Sequence, residues 1–459
     1  MTKSNGNASD LQPRLAAALP PDEPVAGSAG QPESIPPRAL LAQVLDRANL
    51  QRALKQVRRN KGAPGIDGMT VEELPEYLKH HWLDIRAQLE TGHYRPQPVK
   101  RVEIPKGDGK TRPLGIPTVL DRFIQQAIAQ IISAQWEPHF HPRSYGFRPG
   151  RSAHQAVRHV QATIREGYGW VVDMDLQSFF DRVNHDRLMV RLKTRTEDAD
   201  VLRLVNRFLK AGVVVDGKIE ATLTGVPQGG PLSPVLANVV LDELDWDCTQ
   251  KRDRRGHRFA PQLANEADDA NILVKSKRAG ERVMASVTRL VTDSLRLTVN
   301  PLKSAVDRPW KRKFLGFTVS RNDKRLKVAG KALAKLKDRV RELTRRTRGN
   351  RIEVIVAELR ESLLGWKAYF GIAEVLSPLR DIDKWIRRKL RCYLWKQWGP
   401  AGVLATEREL RKRGVTVREA WNTSKSAHGP WRLSKTPALA LALPLRYFQT
   451  LGVPSLAAR

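Results

Sequence analysis

An α+β domain followed by an all-α, basic region is the fold class this chain predicts, and three observations carry it. Between residues 40 and about 325, short apolar strands flanked by carboxylates alternate with amphipathic helices. From "GKALAKLKDRVRELTRRTRGN" onward strand signals almost vanish and basic helical patterns take over. Across the 459 residues, Lys and Arg number 80 against 48 Asp and Glu, a formal net charge of +32. A field of that sign calls for a polyanionic partner, most often nucleic acid. A generic or ribosome-associated basic protein is the plain alternative. Apolar residues make up 41% of the chain, which excludes wholesale disorder.

Taken in order, residues 1–38 are rich in Pro, Ala, Gly, Ser and acids and read as a flexible tail. Order begins near "ALLAQVLDRANLQRALKQVRRNKG", where apolar residues recur at helical spacing. "GAPGIDG" is a turn-rich loop, and "TVEELPEYL" opens a helix with Thr70 as cap and Glu73 three residues later. "PVKRVEIPKGDGKTRPLGIP" reads as a β-hairpin with Gly107, Asp108 and Gly109 at its tip. "VLDRFIQQAIAQIISAQW" places Phe123, Ile124, Ala127, Ile128, Ile131 and Ile132 on one helical face. "WVVDMDL" and "ANILV" are strands, while "LSPVLANVVLDELD" and "ERVMASVTRLVTDSLRL" are helices. In "DIDKWIRRKLRCYLWKQWGP", Ile386, Leu390, Tyr393 and Leu394 share a face and basic residues fill the others.

Only two cysteines occur, Cys248 and Cys392, with no paired spacing that would make a disulfide framework or zinc site. No apolar run approaches membrane-spanning length and no signal peptide is visible, so a cytoplasmic, membrane-free location is the expectation.

A strand ending in carboxylates is costly unless those acids meet a cation. "VVDMDLQSFFD" offers Asp173 and Asp175 on one strand face, because strand side chains repeat every two residues. "ADDANILV" offers Asp268 and Asp269 beside another strand. If the two strands are neighbours, the carboxylates converge into a Mg²⁺ site completed by substrate phosphates. Two such ions activate an attacking hydroxyl and stabilise a leaving pyrophosphate.

Eight blocks, in order, resemble a bacterial group II intron reverse transcriptase/maturase. They are "RRNKGAPGIDGMTVEEL", "PKGDGKTRPLGIPTVLDR", "SYGFRPGRSAHQAV", "VVDMDLQSFFDRVNHDRLM", "GVPQGGPLSPVLANVVLDELD", "ADDANILVKS", "VNPLKSAVDRPWKRKFLGF" and "LRESLLGWKAYF". The resemblance implies a right-hand polymerase followed by an all-α thumb/maturase domain. Its fingers would span 39–165, the palm 166–325, the thumb/maturase region 326–432, and a short C-terminal segment without endonuclease 433–459. Asp175, Asp268 and Asp269 would be the catalytic and metal-holding carboxylates, with Asp173 structural. Lys106 and Arg112 would clamp the triphosphate; Arg's planar fork suits phosphate oxygens. Phe180 would abut the sugar, Gln228 would line the nucleotide pocket, and Lys303 would act near the departing pyrophosphate. "FLGF" resembles the hairpin that grips the primer end. Arg387, Arg388, Lys389, Arg391 and Lys396 would contact RNA. The implied partners are intron RNA, an RNA template with a DNA primer, and dNTPs, with two Mg²⁺ ions; homodimerisation stays open.

One stretch departs from that pattern. The family places an aromatic residue before "ADD", shortly after a strand like "GHRFA"; here Glu266 holds that position and about four residues of "PQLANE" are extra. An insertion of this kind in a hairpin strand is expected to bulge or shift register, and Glu266 adds negative charge beside a phosphate site. Three readings therefore stand: an active RNA-directed DNA polymerase that is also a maturase, a maturase whose polymerase site is impaired, and a related reverse transcriptase serving a host function.

Overall fold

The computed structural model describes residues 39–105, 111–250, 262–266 and 269–458. They fall into two compact units, one built from residues up to 156 together with 168–307, the other from 157–167 together with 308–459.

In the first unit, α1 (Ala39–Val44) and α2 (Arg47–Asn60) precede α3 (Leu74–Glu90). The α2 start is set by Asp46, whose carboxylate accepts from the Ala48 and Asn49 amides at 2.9 and 3.1 Å. At α3 the expected cap is displaced. Glu73 does reach back to the Thr70 amide at 2.7 Å, yet those bonds close a preceding turn and the helix begins at Leu74. Pro75 explains the shift, since proline is preorganised for a first helical turn.

The expected hairpin forms from β1 (Val99–Pro105) and β2 (Thr111–Ile116), paired antiparallel from Lys100↔Ile116 to Pro105↔Thr111; its tip lies outside the described residues. After it come α4 (Val119–Trp136) and the start of α5 (Ala153–Arg165), whose residues from 157 on belong to the second unit, then β3 (Trp170–Asp175), α6 (Phe179–Arg182), α7 (His185–Lys193) and α8 (Ala199–Leu209). Strands β4 (Val213–Val215) and β5 (Lys218–Glu220) extend the hairpin sheet in the order β2-β1-β4-β5. In α4, Phe123, Ile124, Ala127, Ile128 and Ile132 are buried as the helical spacing predicts, with Ile131 half-buried.

The second sheet is antiparallel throughout, in the order β6-β7-β3-β8, with β6 (Gln262–Glu266), β7 (Asp269–Val274) and β8 (Ala305–Asp307). Helices α9 (Ser233–Gln250) and α10 (Lys277–Arg289) belong to the same unit. Val171, Val172, Met174, Ile272, Leu273 and Val274 are all buried, so both faces of the central strands are covered; that is why these strands read as continuous apolar runs.

The expected bulge before "ADD" is not found among the described residues. "QLANE" is itself β6, and it pairs with β7 in unbroken register from Gln262↔Leu273 to Glu266↔Asp269. Only two residues connect the strands, and a two-residue connection fixes a hairpin's register. Residues 262–266 of that stretch form the outer strand of the hairpin, without a bulge.

The second unit is helical apart from the two-stranded β9 (Phe317–Val319) and β10 (Leu326–Val328). Its helices are α11 (Gly330–Leu343), α12 (Ile352–Phe370), α13 (Ser377–Trp398), α14 (Val403–Lys412), α15 (Val417–Ser424), α16 (Pro430–Leu433), α17 (Pro437–Ala442) and α18 (Leu445–Thr450). Asp383 on α13 fastens the C-terminal residues: its carboxylate accepts from the Ser455 hydroxyl and the Leu456 and Ala457 amides.

Candidate active site

Asp175 ends β3 at the point where the strand's register meets Asp269 of β7. Because Asp269 also pairs with Glu266 of β6, three acidic positions lie in one cross-strand row. Asp268 and Lys106 lie outside the described residues, and Asp269 is placed by its backbone. Asp173, two residues earlier, is buried.

The backbone of Asp175 is held from the "NPLKS" segment. Its amide donates to the Ser304 hydroxyl at 3.0 Å and its carbonyl accepts from the Asn300 amide at 2.8 Å. Asn300 turns the chain by accepting from the Leu302 amide through its side chain and from the Ser304 amide through its carbonyl. That turn delivers Lys303, whose ammonium lies 3.1 and 2.9 Å from the two oxygens of Asp175. The lysine side chain is 65% exposed and the aspartate 24%. Sequence resemblance put both residues at the site; their direct ion pair had no signal in the sequence.

A second constellation gathers around the "PQGG" loop. Arg112 on β2 donates from Nε to the side-chain oxygen of Gln228 at 2.6 Å. The loop backbone is tied down on both sides, by the Gly115 amide donating to the Gln228 carbonyl and the Val226 amide donating to the Phe180 carbonyl. Gly229 has φ +134°, and a Cβ there would sit 2.5 Å from the Gly115 carbonyl oxygen; only glycine lets the loop approach β2 so closely. Phe180 is half-buried against Phe179, ring centroids 5.2 Å apart. Arg112, Phe180 and Gln228 line one cleft of about 490 Å³ with Gly62, Arg122 and Phe147. Among the described residues no group of three or more His, Cys, Asp or Glu is placed to hold a metal.

In the second unit, Ile386, Leu390, Tyr393 and Leu394 form the buried face of α13. The basic residues of that helix divide by environment. Arg391 donates twice to the Leu443 carbonyl, at 3.1 and 2.9 Å, and its burial pushes the guanidinium below its ordinary range. Arg388 lies 3.6 Å from the centre of the Trp431 ring and donates to the Trp431 carbonyl. Lys389 sits between Trp385 and Trp431, and burial lowers its pKa. Arg387 is half-buried and Lys396 is exposed. The expected primer-end hairpin appears as a tight turn, with Phe314 and Phe317 exchanging backbone hydrogen bonds.

Residues 104–319 match the family described as reverse transcriptase (RNA-dependent DNA polymerase), and residues 333–414 match the group II intron maturase-specific domain. The chain is 36% identical over 289 residues to Protein YkfC of Escherichia coli, covering 56% of this chain and 76% of that one. It is 38% identical over 204 residues to the group II intron-encoded protein LtrA of Lactococcus lactis, covering 42% of this chain and 32% of LtrA. Among solved structures, telomerase from Candida albicans aligns at 14% identity and a TM-score of 0.41, over 77% of this chain and 71% of that one. No helix among the described residues is long and apolar enough to cross a membrane.

Proposed function

The chain belongs to the group II intron reverse transcriptase/maturase family, and from that membership we propose that it copies an RNA template from a DNA primer and binds a group II intron RNA. The observation that carries the reading is the cross-strand pairing of Asp175 with Asp269, at the end of a sheet whose neighbouring turn brings Lys303 onto Asp175. Partners opposite one another in an antiparallel pair share a sheet face. Asp175, Asp268 and Asp269 would hold divalent cations, and their hard oxygen donors suit Mg²⁺. When bound, two such ions supply charge stabilisation for the attacking and leaving oxygens of nucleotidyl transfer.

The chain's own residues do the rest. Gln228, fixed by Arg112 and by its tied-down loop, shapes the nucleotide's pocket, and Phe180 abuts the sugar. Arg112 and Lys106 draw in the triphosphate. Lys303 holds a proton within reach of Asp175 and delivers it toward the departing pyrophosphate. In the second unit the exposed Lys396, with Arg387 and Lys389, tracks RNA phosphates, while Arg388 and Arg391 fix the helix that presents them.

Full-length protein given poly(rA), an oligo(dT) primer, dTTP and Mg²⁺ should extend the primer, and Asp175→Asn should abolish extension. No extension by the wild type would overturn the polymerase reading. One observation favours the second reading, a maturase with an impaired polymerase site: Glu266 is the register partner of Asp269 and adds a third acid to the row. On that reading Glu266→Tyr switches extension on in a protein otherwise inactive but still competent to promote intron splicing.

A further inference from the structure

Arg122 on α4 lines the same cleft as Arg112, Phe180 and Gln228, and neither the expected triphosphate clamp nor the carboxylate row uses it. It is 8% exposed. Its Nη2 donates to the Ala63 carbonyl at 2.6 Å, but its buried Nε has no hydrogen-bond partner. Among the described residues no carboxylate forms an ion pair with it; Asp67 acts on it only through space, and burial lowers its pKa. A guanidinium buried without a paired anion is costly, and an arriving anion would relieve that cost. The loop "GAPGIDG" meets it at Gly62 and Ala63. A Cβ at Gly62 would overlap the Arg122 Nη1, so only glycine leaves room for the guanidinium where it lies. Among the described residues the cleft is lined by two arginines, Asn60, Gln126, Gln228 and Ser233, with no carboxylate. Apolar side chains, Leu114, Phe147 and Phe180 among them, complete the lining, so every charged group the cleft offers among the described residues is cationic.

We propose that Arg122 is a second phosphate-binding residue of this cleft, distinct from Arg112, whose guanidinium fork engages the phosphate of a bound nucleic-acid substrate. The inference rests on the reading of the cleft as the nucleotide site. Two sources carry that chemistry, the template strand's backbone and the incoming nucleotide's triphosphate.

The test is equilibrium binding, which needs no turnover. Full-length wild type, Arg122→Gln and Gly62→Ala are titrated with a labelled poly(rA)/oligo(dT) duplex over a salt series, and then with dTTP on a complex whose primer is dideoxy-terminated. If the template supplies the phosphate, Arg122→Gln reduces the slope of log K against log salt by about 0.7–0.9. If the nucleotide supplies it, that slope is unchanged and the dTTP Kd rises about tenfold, as loss of a charge-assisted contact predicts. Gly62→Ala displaces the guanidinium without removing it and should move the same quantity less. Melting temperatures are recorded for each variant. Wild-type salt slope and dTTP Kd in both variants would overturn the proposal and leave Arg122 a pin for the loop. Should Arg122→Gln fail to fold, Gly62→Ala decides alone, with unchanged binding again refuting the proposal. Absence of any template-primer binding by the wild type would sink the reading of the cleft itself, and the proposal with it.

Discussion

Lys303→Ala separates a chemical role from a structural one. Its ammonium is bidentate on Asp175, at 2.9 and 3.1 Å, but two thirds of the lysine side chain faces solvent. An ion pair so exposed contributes at most about 1 kcal/mol to stability. For a unit of this size that corresponds to a melting shift of no more than about 2–4 °C. A proton donor at the leaving group is a different matter, since general acid catalysis contributes about 10²–10⁴-fold, or roughly 3–5 kcal/mol of barrier at 1.36 kcal/mol per decade. Single-turnover primer extension with saturating dTTP should therefore slow by at least about 100-fold, while the melting temperature barely moves. Lys303→Arg should restore folding fully and rate only partly, because arginine does not release its proton near neutral pH. A Lys303→Ala rate within twofold of wild type would refute the proton-donor role. A collapse of the melting temperature would show that the pair is structural instead.

Three further outcomes follow from particular contacts. Asp121 is buried and its pKa is raised by that burial from 3.8 to about 6, against the opposing hydrogen bonds from Tyr94, Thr118 and Gln97. The folded protein therefore keeps a proton that the unfolded chain has already lost. Stability from this group is full below pH 3.8, falls as pH rises through about 6, and is level above. The full change is no more than about 3 kcal/mol, and urea denaturation at a series of pH values should show that slope in wild type and not in Asp121→Asn. Asp383→Ala removes the acceptor for Ser455, Leu456 and Ala457; hydrogen exchange of residues 455–458 should accelerate by 10-fold or more, at about 1.4 kcal/mol per decade, with exchange in the first unit unchanged. Arg391→Ala should lower the melting temperature of the second unit with little change in the salt dependence of RNA binding, whereas Lys396→Ala should reduce the salt slope by about 0.7–0.9 and leave stability alone. The reverse pattern would reassign both residues.

Much of the fold was legible because its signals are local. The β1–β2 hairpin, the apolar face of α4, the strand ending in Asp175 and the buried face of α13 follow from alternation and helical spacing. The α3 start was misplaced because Pro75 outweighs a cap that forms only a turn. The bulge expected at "QLANE" does not form among the described residues, where this stretch pairs with β7 in unbroken register; the sequence shows residue order but not pairing. The candidate site was legible in membership and not in contact. Asp175, Lys303, Arg112 and Gln228 were each expected, yet the Lys303–Asp175 and Arg112–Gln228 bonds join residues more than a hundred positions apart. Arg388 and Arg391 were expected to contact RNA, and a basic helix gives no hint that these two cations also fold back onto carbonyls and a ring. Arg122 carried no signal at all, since its distinction is the missing partner at Nε and that is a property of the packed structure.

The central assignment is that Asp175 and Asp269, register partners on β3 and β7, act together as one cation-holding pair. Binding of Mn²⁺ to the full-length protein with primer and template, followed by electron paramagnetic resonance and competed with Mg²⁺, tests it without requiring turnover. Asp175→Asn and Asp269→Asn should each weaken Mn²⁺ binding by about tenfold or more, as expected for loss of a ligand or its support, and the double variant should be little worse than either. Wild-type affinity in Asp269→Asn would contradict the pairing and leave Asp175 with Lys303 as a structural ion pair.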